Sequence, residues 1–202
     1  MGMGKLTVQM FVTLDGVVQA PGGPEEDREG SFPYGGWQAP FLDEASGAAI
    51  LQRIERMDAL LLGRKTYDIF SGYWPKAPAD NPFTRQMNEV TKYVASRTLD
   101  KVDWNNARLI EGDLAKGVER IKADHSDALV IGSAEFLQSL MAEGLVDRFV
   151  LFVFPVILGR GKRLFPEGIS PTRFKLIESR SFESCAVLMT YESDGKPTYG
   201  TM

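Results

Sequence analysis

The stretch Ala59 to Phe70, "ALLLGRKTYDIF", changes character at its middle. Small and apolar residues run into Gly63, the cations Arg64 and Lys65 follow, and the hydroxyl of Thr66 opens a helical pattern. A short apolar run that passes through glycine into a helix is the strand-to-helix turn of a parallel α/β sheet, the edge at which such sheets bind ligands. The signature recurs in "YVASRTL", which ends in Ser96-Arg97-Thr98, and in "LVIGSAEF", with Gly132-Ser133-Ala134-Glu135. Glycine allows close backbone approach to a phosphate, and the free N–H groups and positive dipole of a first helical turn favour an anion. Arg64, Lys65 and Arg97 add charge-assisted donors. One such turn also follows from capping sterics alone. Three of them, two with arginine, fit a phosphorylated dinucleotide, and two arginines suit an adenosine 2′-phosphate and hence NADPH over NADH. No G-x-G-x-x-G is present, so the ordinary Rossmann fingerprint is absent.

Working outward, Lys5 to Leu14 alternates Leu6, Val8, Met10 and Val12 with mostly polar neighbours and predicts a first strand before a turn at Asp15-Gly16. The next 22 residues, Gln19 to Pro40, hold five glycines and four prolines and predict a long functional loop. In it, Tyr34 and Trp37 are placed either to stack on a flat heterocycle or to clamp the loop to the core. "FLDEASGAAILQRIERM" predicts a helix with Asp43 and Glu44 in its first turn. Further helices are expected over 64–70, 81–89, "DLAKGVERIKAD" and "SAEFLQSLMAEG", and further strands at "DALLLG", "TKYVAS", "ARLIEG" and "DALVIG". The tail changes period into three strand-like runs, "VDRFVLFVFPVIL", "TRFKLIESRSF" and "CAVLMTYES". The expected fold is one α/β three-layer domain over 1–202, with a mixed, mostly parallel sheet of about eight strands and a C-terminal antiparallel hairpin. The apolar run "FVLFVFPVIL" reads as a central strand, though Pro155 interrupts it and points to an edge or bulge, a candidate dimer surface. In "GRGKRLF", Gly159 and Gly161 form a strand-exit turn from which Leu164 and Phe165 return to the core, while Arg160, Lys162 and Arg163 are candidates for a substrate phosphate.

Composition narrows the chemistry. With 23 Lys and Arg against 27 Asp and Glu the net charge is −4 and no long basic run occurs, which argues against nucleic acid or an anionic membrane as partner. The N-terminus lacks a signal-peptide core and no run of about 18 apolar residues exists to cross a bilayer, so a cytoplasmic address is expected. One cysteine, Cys185, excludes an intrachain disulfide and is expected in a buried strand; one histidine, His125, is expected in a solvated link. A multi-histidine metal site or a histidine triad has nothing to build on. Any chemistry therefore manages without histidine or metal, or imports its reactivity in a cofactor.

The ordered set "TLDG" at Thr13 to Gly16, "LLLGRKTYDIF", "YVASRTL", "LVIGSAEF" and "VFPVILGRGKRLF" resembles the dihydrofolate reductase-like superfamily. It is more narrowly similar to the reductase domain at the C-terminus of the bifunctional riboflavin-biosynthesis deaminase-reductase. The resemblance runs from about Lys5 to Tyr191 and implies an NADPH-dependent reductase, a homodimer with a small-molecule substrate. It implies that Gly63, Arg64, Lys65 and Thr66 meet the cofactor phosphates, that Ser96, Arg97 and Thr98 meet the adenosine ribose phosphate, and that Gly132, Ser133, Ala134, Glu135 and Phe136 run beside the pyrophosphate and nicotinamide. The long loop corresponds to the mobile loop over the nicotinamide, with Asp15 and Trp37 as candidate substrate-side residues. Asp43 or Glu44 stands in the helix that carries the substrate-binding carboxylate of dihydrofolate reductases, without the sequence that surrounds it there; Asp43 is a candidate catalytic residue, the competing readings being a surface carboxylate at the helix start and proton delivery by water. The zinc-deaminase ligands H-x-E and P-C-x-x-C are missing, so the deaminase half has no counterpart. The implied activity is hydride transfer to a pterin-like or 5-amino-6-(5-phosphoribosylamino)uracil-like substrate. The competing expectation is a reductase-like fold kept as a ligand-binding or assembly module without turnover.

Overall fold

The computed structural model describes residues 4–201. Met1, Gly2 and Met3 of the N-terminus discussed above, and Met202, lie outside the described residues. Eight strands form one sheet: β1 (Lys5–Thr13), β2 (Ala59–Gly63), β3 (Thr91–Ala95), β4 (Ala107–Leu109), β5 (Asp127–Ile131), β6 (Arg148–Phe154), β7 (Phe174–Ser181) and β8 (Val187–Ser193). The five α-helices are α1 (Glu44–Arg56), α2 (Arg64–Tyr73), α3 (Pro82–Glu89), α4 (Leu114–Asp124) and α5 (Ala134–Ala142). The sheet order is β4-β3-β2-β5-β1-β6-β8-β7. The first six are parallel neighbours, and β8 pairs antiparallel with both β6 and β7.

Two cores lie on opposite faces of this sheet. Ile50 and Ile54 of α1, Tyr67 of α2 and Met87 of α3 pack with Leu60, Leu62, Ile131 and Val150 on one face. Val118 and Ile121 of α4 and Phe136, Leu137 and Leu140 of α5 pack with Leu61, Val8 and Val130 on the other. Helices on both faces are what a parallel sheet requires, and they account for the burial of both faces of β1. Its polar positions Thr7, Gln9 and Thr13 are as buried as Leu6 and Val8. The alternation in the sequence separates two buried faces rather than a wet face from a dry one.

Several expectations are corrected. β6 is a central strand, paired with β1 and β8, and Pro155 lies just past its end, so the free edge on this side is β7. Cys185 is exposed in the β7–β8 turn with φ of 65°, not inside a strand. His125 is half-buried, with Nε2 2.9 Å from the Tyr93 hydroxyl and Nδ1 3.7 Å from Asp58. Leu164 is buried as expected, whereas Phe165 is exposed and meets Phe149 edge-to-face.

The sheet has one topological switch point beside its centre. The chain leaves β2 toward β3 and β4 and leaves β5 toward β6, in opposite directions, so the connections part between two adjacent strands. A crevice at such a point, outside the carboxyl ends of the strands, is the usual ligand site of open α/β sheets.

Candidate active site

Gly63 ends β2 and Ser133 follows β5 at that switch point, and they meet directly, the Gly63 N–H donating to Ser133 Oγ at 2.9 Å. A Cβ on Gly63 would lie 2.7 Å from Phe136 Cβ. The glycine is thus required by the close approach of α5, a different reason from the phosphate approach expected from sequence. Gly132 does supply conformational freedom: its φ is +67°, and Ser133 follows in the same left-handed region at φ 60° and ψ 54°. Such backbone is costly for a serine and persists because its surroundings hold it there. Here it turns the chain sharply from β5 into α5.

The helix termini divide into two kinds. α1 is capped by Asp43, α3 by Asn81 and α4 by Asp113, each side chain accepting a backbone N–H of the first turn. α2 and α5, the two helices that start at the switch point, have no side-chain cap. Their first-turn N–H groups carry the positive end of the helix dipole; the first turn of α2 holds no carboxylate, and that of α5 holds Glu135. Around them opens a cleft of about 1130 Å³. Each of the twelve residues expected from sequence at the cofactor, Gly63 to Thr66, Ser96 to Thr98 and Gly132 to Phe136, lines it.

The cations are positioned by neighbours. Arg64 donates from Nε to Asp68 at 2.7 Å and from Nη1 to Thr98 Oγ1 at 2.8 Å, tying α2 to the turn after β3. Ser96 Oγ accepts from the N–H groups of Thr98 and Leu99, which folds that turn around Arg97. Arg97 makes no ion pair among the described residues. Lys65 pairs with Glu29, and Lys162 pairs with Asp27 and Glu29 at 2.6 Å each. The Glu29 carboxyl is held down to about 2 by Lys162 and then Lys65.

Asp15, Trp37 and Asp43 lie outside the cleft. Trp37 is buried, donating from Nε1 to Gln19 O at 2.7 Å with its ring edge-on to Phe154, so it clamps the loop to the core rather than stacking on a ligand. Asp15 accepts from Thr13 Oγ1 and from the N–H groups of Leu158 and Gly159, and its backbone carbonyl accepts from Arg163. It locks the turn after β1 to the exit of β6. Asp43 is the α1 cap: Oδ1 accepts from Ser46 N at 2.7 Å and Oδ2 from Ser184 N at 2.8 Å. Those N–H groups depress its pKa strongly, Ser46 foremost, and such a carboxylate has no proton to give. The structure bears out the helix-start reading of Asp43, which caps α1 and does not line the cleft. Arg160 and Arg163 likewise serve the loops, Arg160 through Gly30 O, which leaves Lys162 as the member of "GRGKRLF" that lines the cleft.

Other cleft residues were not singled out by the sequence. Gln9 and Phe11 of β1, Ile50 and Ile54 of α1, and Trp74 line its inner part. Glu26, in the long loop, also lines it, accepting from Gly22 N at 2.6 Å and Gly23 N at 3.2 Å. Burial lifts its carboxyl above the usual range despite those bonds. The loop itself is fastened by Gln19, whose Nε2 donates to the carbonyls of Asp27 and Glu29 and whose Oε1 accepts from Lys162 N. Among the described residues no group of three or more His, Cys, Asp or Glu is placed to hold a metal, and no helix is long and apolar enough to cross a membrane.

Comparisons with known proteins agree with this geometry. The chain is 28% identical over 195 residues to the uncharacterized protein YyaP of Bacillus subtilis (strain 168), covering 95% of this chain and 96% of that one. Among solved structures, a putative riboflavin biosynthesis protein from Shewanella sp. PV-4 superposes with a TM-score of 0.71 at 24% identity, over 94% of this chain and 99% of the other. A pyrimidine reductase-like protein from Corynebacterium diphtheriae superposes with a TM-score of 0.61 at 12% identity, over 95% and 92%. The family model described as "RibD C-terminal domain" matches residues 4–188. The uncapped helices, the switch-point cleft and that match lead to one conclusion: the chain belongs to the RibD C-terminal domain family, a reductase-type family.

Proposed function

We propose that this protein is an NADPH-dependent reductase that transfers a hydride to a C=N or C=O bond of a small heterocyclic or sugar-like substrate. The observation that carries the proposal is the pairing of two uncapped helix N-termini, α2 and α5, at the β2/β5 switch point, with Arg64, Lys65 and Arg97 on the rim. This donor set fits a dinucleotide: N–H groups and helix dipoles for the pyrophosphate, and two guanidinium groups for an adenosine 2′-phosphate. The cofactor, when bound, supplies the hydride. The chain binds and orients it through residues 63–66, 96–98 and 132–136, and the loop from Gln19 to Pro40 walls the cleft against water.

Proton donation is assigned to Glu26 in place of Asp43. It is the cleft carboxyl that burial holds toward its protonated form, and the N–H groups of Gly22 and Gly23 fix its orientation. Glu26→Gln is expected to lower turnover by about 10²-fold and to remove the high-pH limb of the kcat profile; an unchanged profile would refute the assignment.

A second reading, a ligand-binding module without turnover, draws support from the loss of Asp43 as proton donor. The two are separated by titrating NADPH into the protein and then following NADPH oxidation against a panel of pterins, ribosylaminopyrimidines and carbonyl compounds. Binding with oxidation by one member supports the reductase; binding without any oxidation supports the module.

A further inference from the structure

The cleft continues past its cationic rim into an inner part floored by β1 and walled by Ile50 and Ile54 of α1 and Phe83 and Met87 of α3. None of these three elements contributes a lysine or arginine to the lining. Two polar groups of this inner lining have no hydrogen-bond partner in the protein. One is the carboxamide of Gln9, fully buried at 0% exposure, with both Oε1 and Nε2 unpaired. The other is the buried indole Nε1–H of Trp74. Parallel registers set Gln9 level with Ile131 of β5 and Val150 of β6, neither of which can pair with it. A leucine or methionine would fill this position without stranding a donor and an acceptor, so an unpaired carboxamide here is unfavourable unless a ligand completes it.

We propose that Gln9, with Trp74 beside the same cleft, is the specificity-determining residue for the substrate ring. A carboxamide presents one donor and one acceptor in a plane, and its complement is a neutral ring edge on which N–H and C=O adjoin. The Trp74 N–H offers a donor to a further acceptor on that ring. An uncharged amide among apolar walls cannot neutralise a carboxylate or phosphate, so the inner part takes the ring and the cationic rim takes the anions. A site built on buried polar groups also rejects a ring that lacks them, because the protein groups are then left unpaired. This inference rests on the reductase proposal for where the hydride arrives, but it is tested independently of it.

The test is calorimetric titration of the parent protein, with and without NADP⁺, using lumazine and 1,3-dimethyllumazine as probes. The second lacks the ring N–H groups. The expected result is a preference for lumazine of about tenfold or more, abolished in Gln9→Leu and in Gln9→Met, which keeps the side-chain length. Both variants are expected to retain NADPH affinity within about twofold and to melt no lower than the parent, since each removes unpaired buried polar atoms. Purely steric rejection of the methyl groups would survive these substitutions, so a preference retained in both variants overturns the proposal. So does a parent protein that binds neither probe, or both equally. Loss of NADPH affinity with the lumazine preference intact would set the carboxamide against the cofactor instead and also overturn it. Should NADPH fail to bind the parent while the preference and its loss in the variants hold, the reductase proposal falls and the role of Gln9 stands.

Discussion

Arg64 and Arg97 face the same cleft under different restraints. Arg64 is held by Asp68 and Thr98, whereas Arg97 stands on a turn that Ser96 folds and makes no ion pair among the described residues. Replacing Arg97 by alanine is therefore expected to remove only its contact with the cofactor, weakening NADPH by about 10- to 100-fold with little change in melting temperature. Calorimetry with NADPH and NADH side by side reads this as a loss of preference between the two. Asp43→Ala is expected to do the opposite. Loss of the α1 cap and of the Ser184 N–H partner lowers stability, read as a lower denaturant midpoint, with turnover unchanged. Sequence placed the two near a site on different grounds, Arg97 at the end of a parallel strand and Asp43 in the first turn of a helix. The two differ in what the charge faces: an N–H of its own helix for Asp43, the cleft for Arg97. That direction is set by the β7–β8 turn and by the fold of 96–98, neither of which local spacing encodes.

The strands and helices were legible because each carries its own period and its own stop signals. The polar residues of β1 were legible as positions but not as buried ones, since burial on the second face is imposed by α1, far along the chain. Gln9 escaped notice for that reason; a polar side chain at the centre of a strand flanked by two apolar neighbours in register is the signal that would find it once the sheet order is known. The loop from Gln19 to Pro40 was recognised by its glycines and prolines, but its attachment was not. Glu29 bridges Lys65 and Lys162, and Gln19 ties the loop to Lys162. The Glu29 carboxyl sits at about 2, below its ordinary 4.5, so its contribution to docking is complete above pH 4.5 and is lost as pH falls through about 2. Amide exchange over residues 19–40 is expected to stay protected down to about pH 4.5 and to rise below it; Glu29→Gln is expected to raise it already at neutral pH. Lys92 of β3 is a second polar anchor: fully buried, it donates to the carbonyls of Asn88, Val90 and Asn105 and lies 4.4 Å over Trp104. Lys92→Met strands those three carbonyls and is expected to cost about 1–3 kcal/mol.

The molecule as a whole assembles its cleft from the two directions in which the chain leaves β2 and β5, so the site is a property of the strand order and no single motif contains it. An edge remains to be accounted for. β7, the last strand of the sheet, exposes Leu176 and Ile177, each about half accessible. Such an edge invites pairing with another chain. We propose that the homodimer implied by the sequence resemblance forms across β7 rather than β6. Sedimentation of the parent as a dimer and of Leu176→Asp/Ile177→Asp as a monomer would support this; a monomeric parent would rule it out. The central claim, that the switch-point cleft holds NADPH, is tested most directly by calorimetric titration of the cofactor into the parent protein and into Arg64→Ala and Arg97→Ala. Saturable binding of NADPH in the parent, stronger than that of NADH and weakened in both variants, is the predicted result. No binding of NADPH at millimolar concentration, or binding that both variants leave untouched, would contradict it.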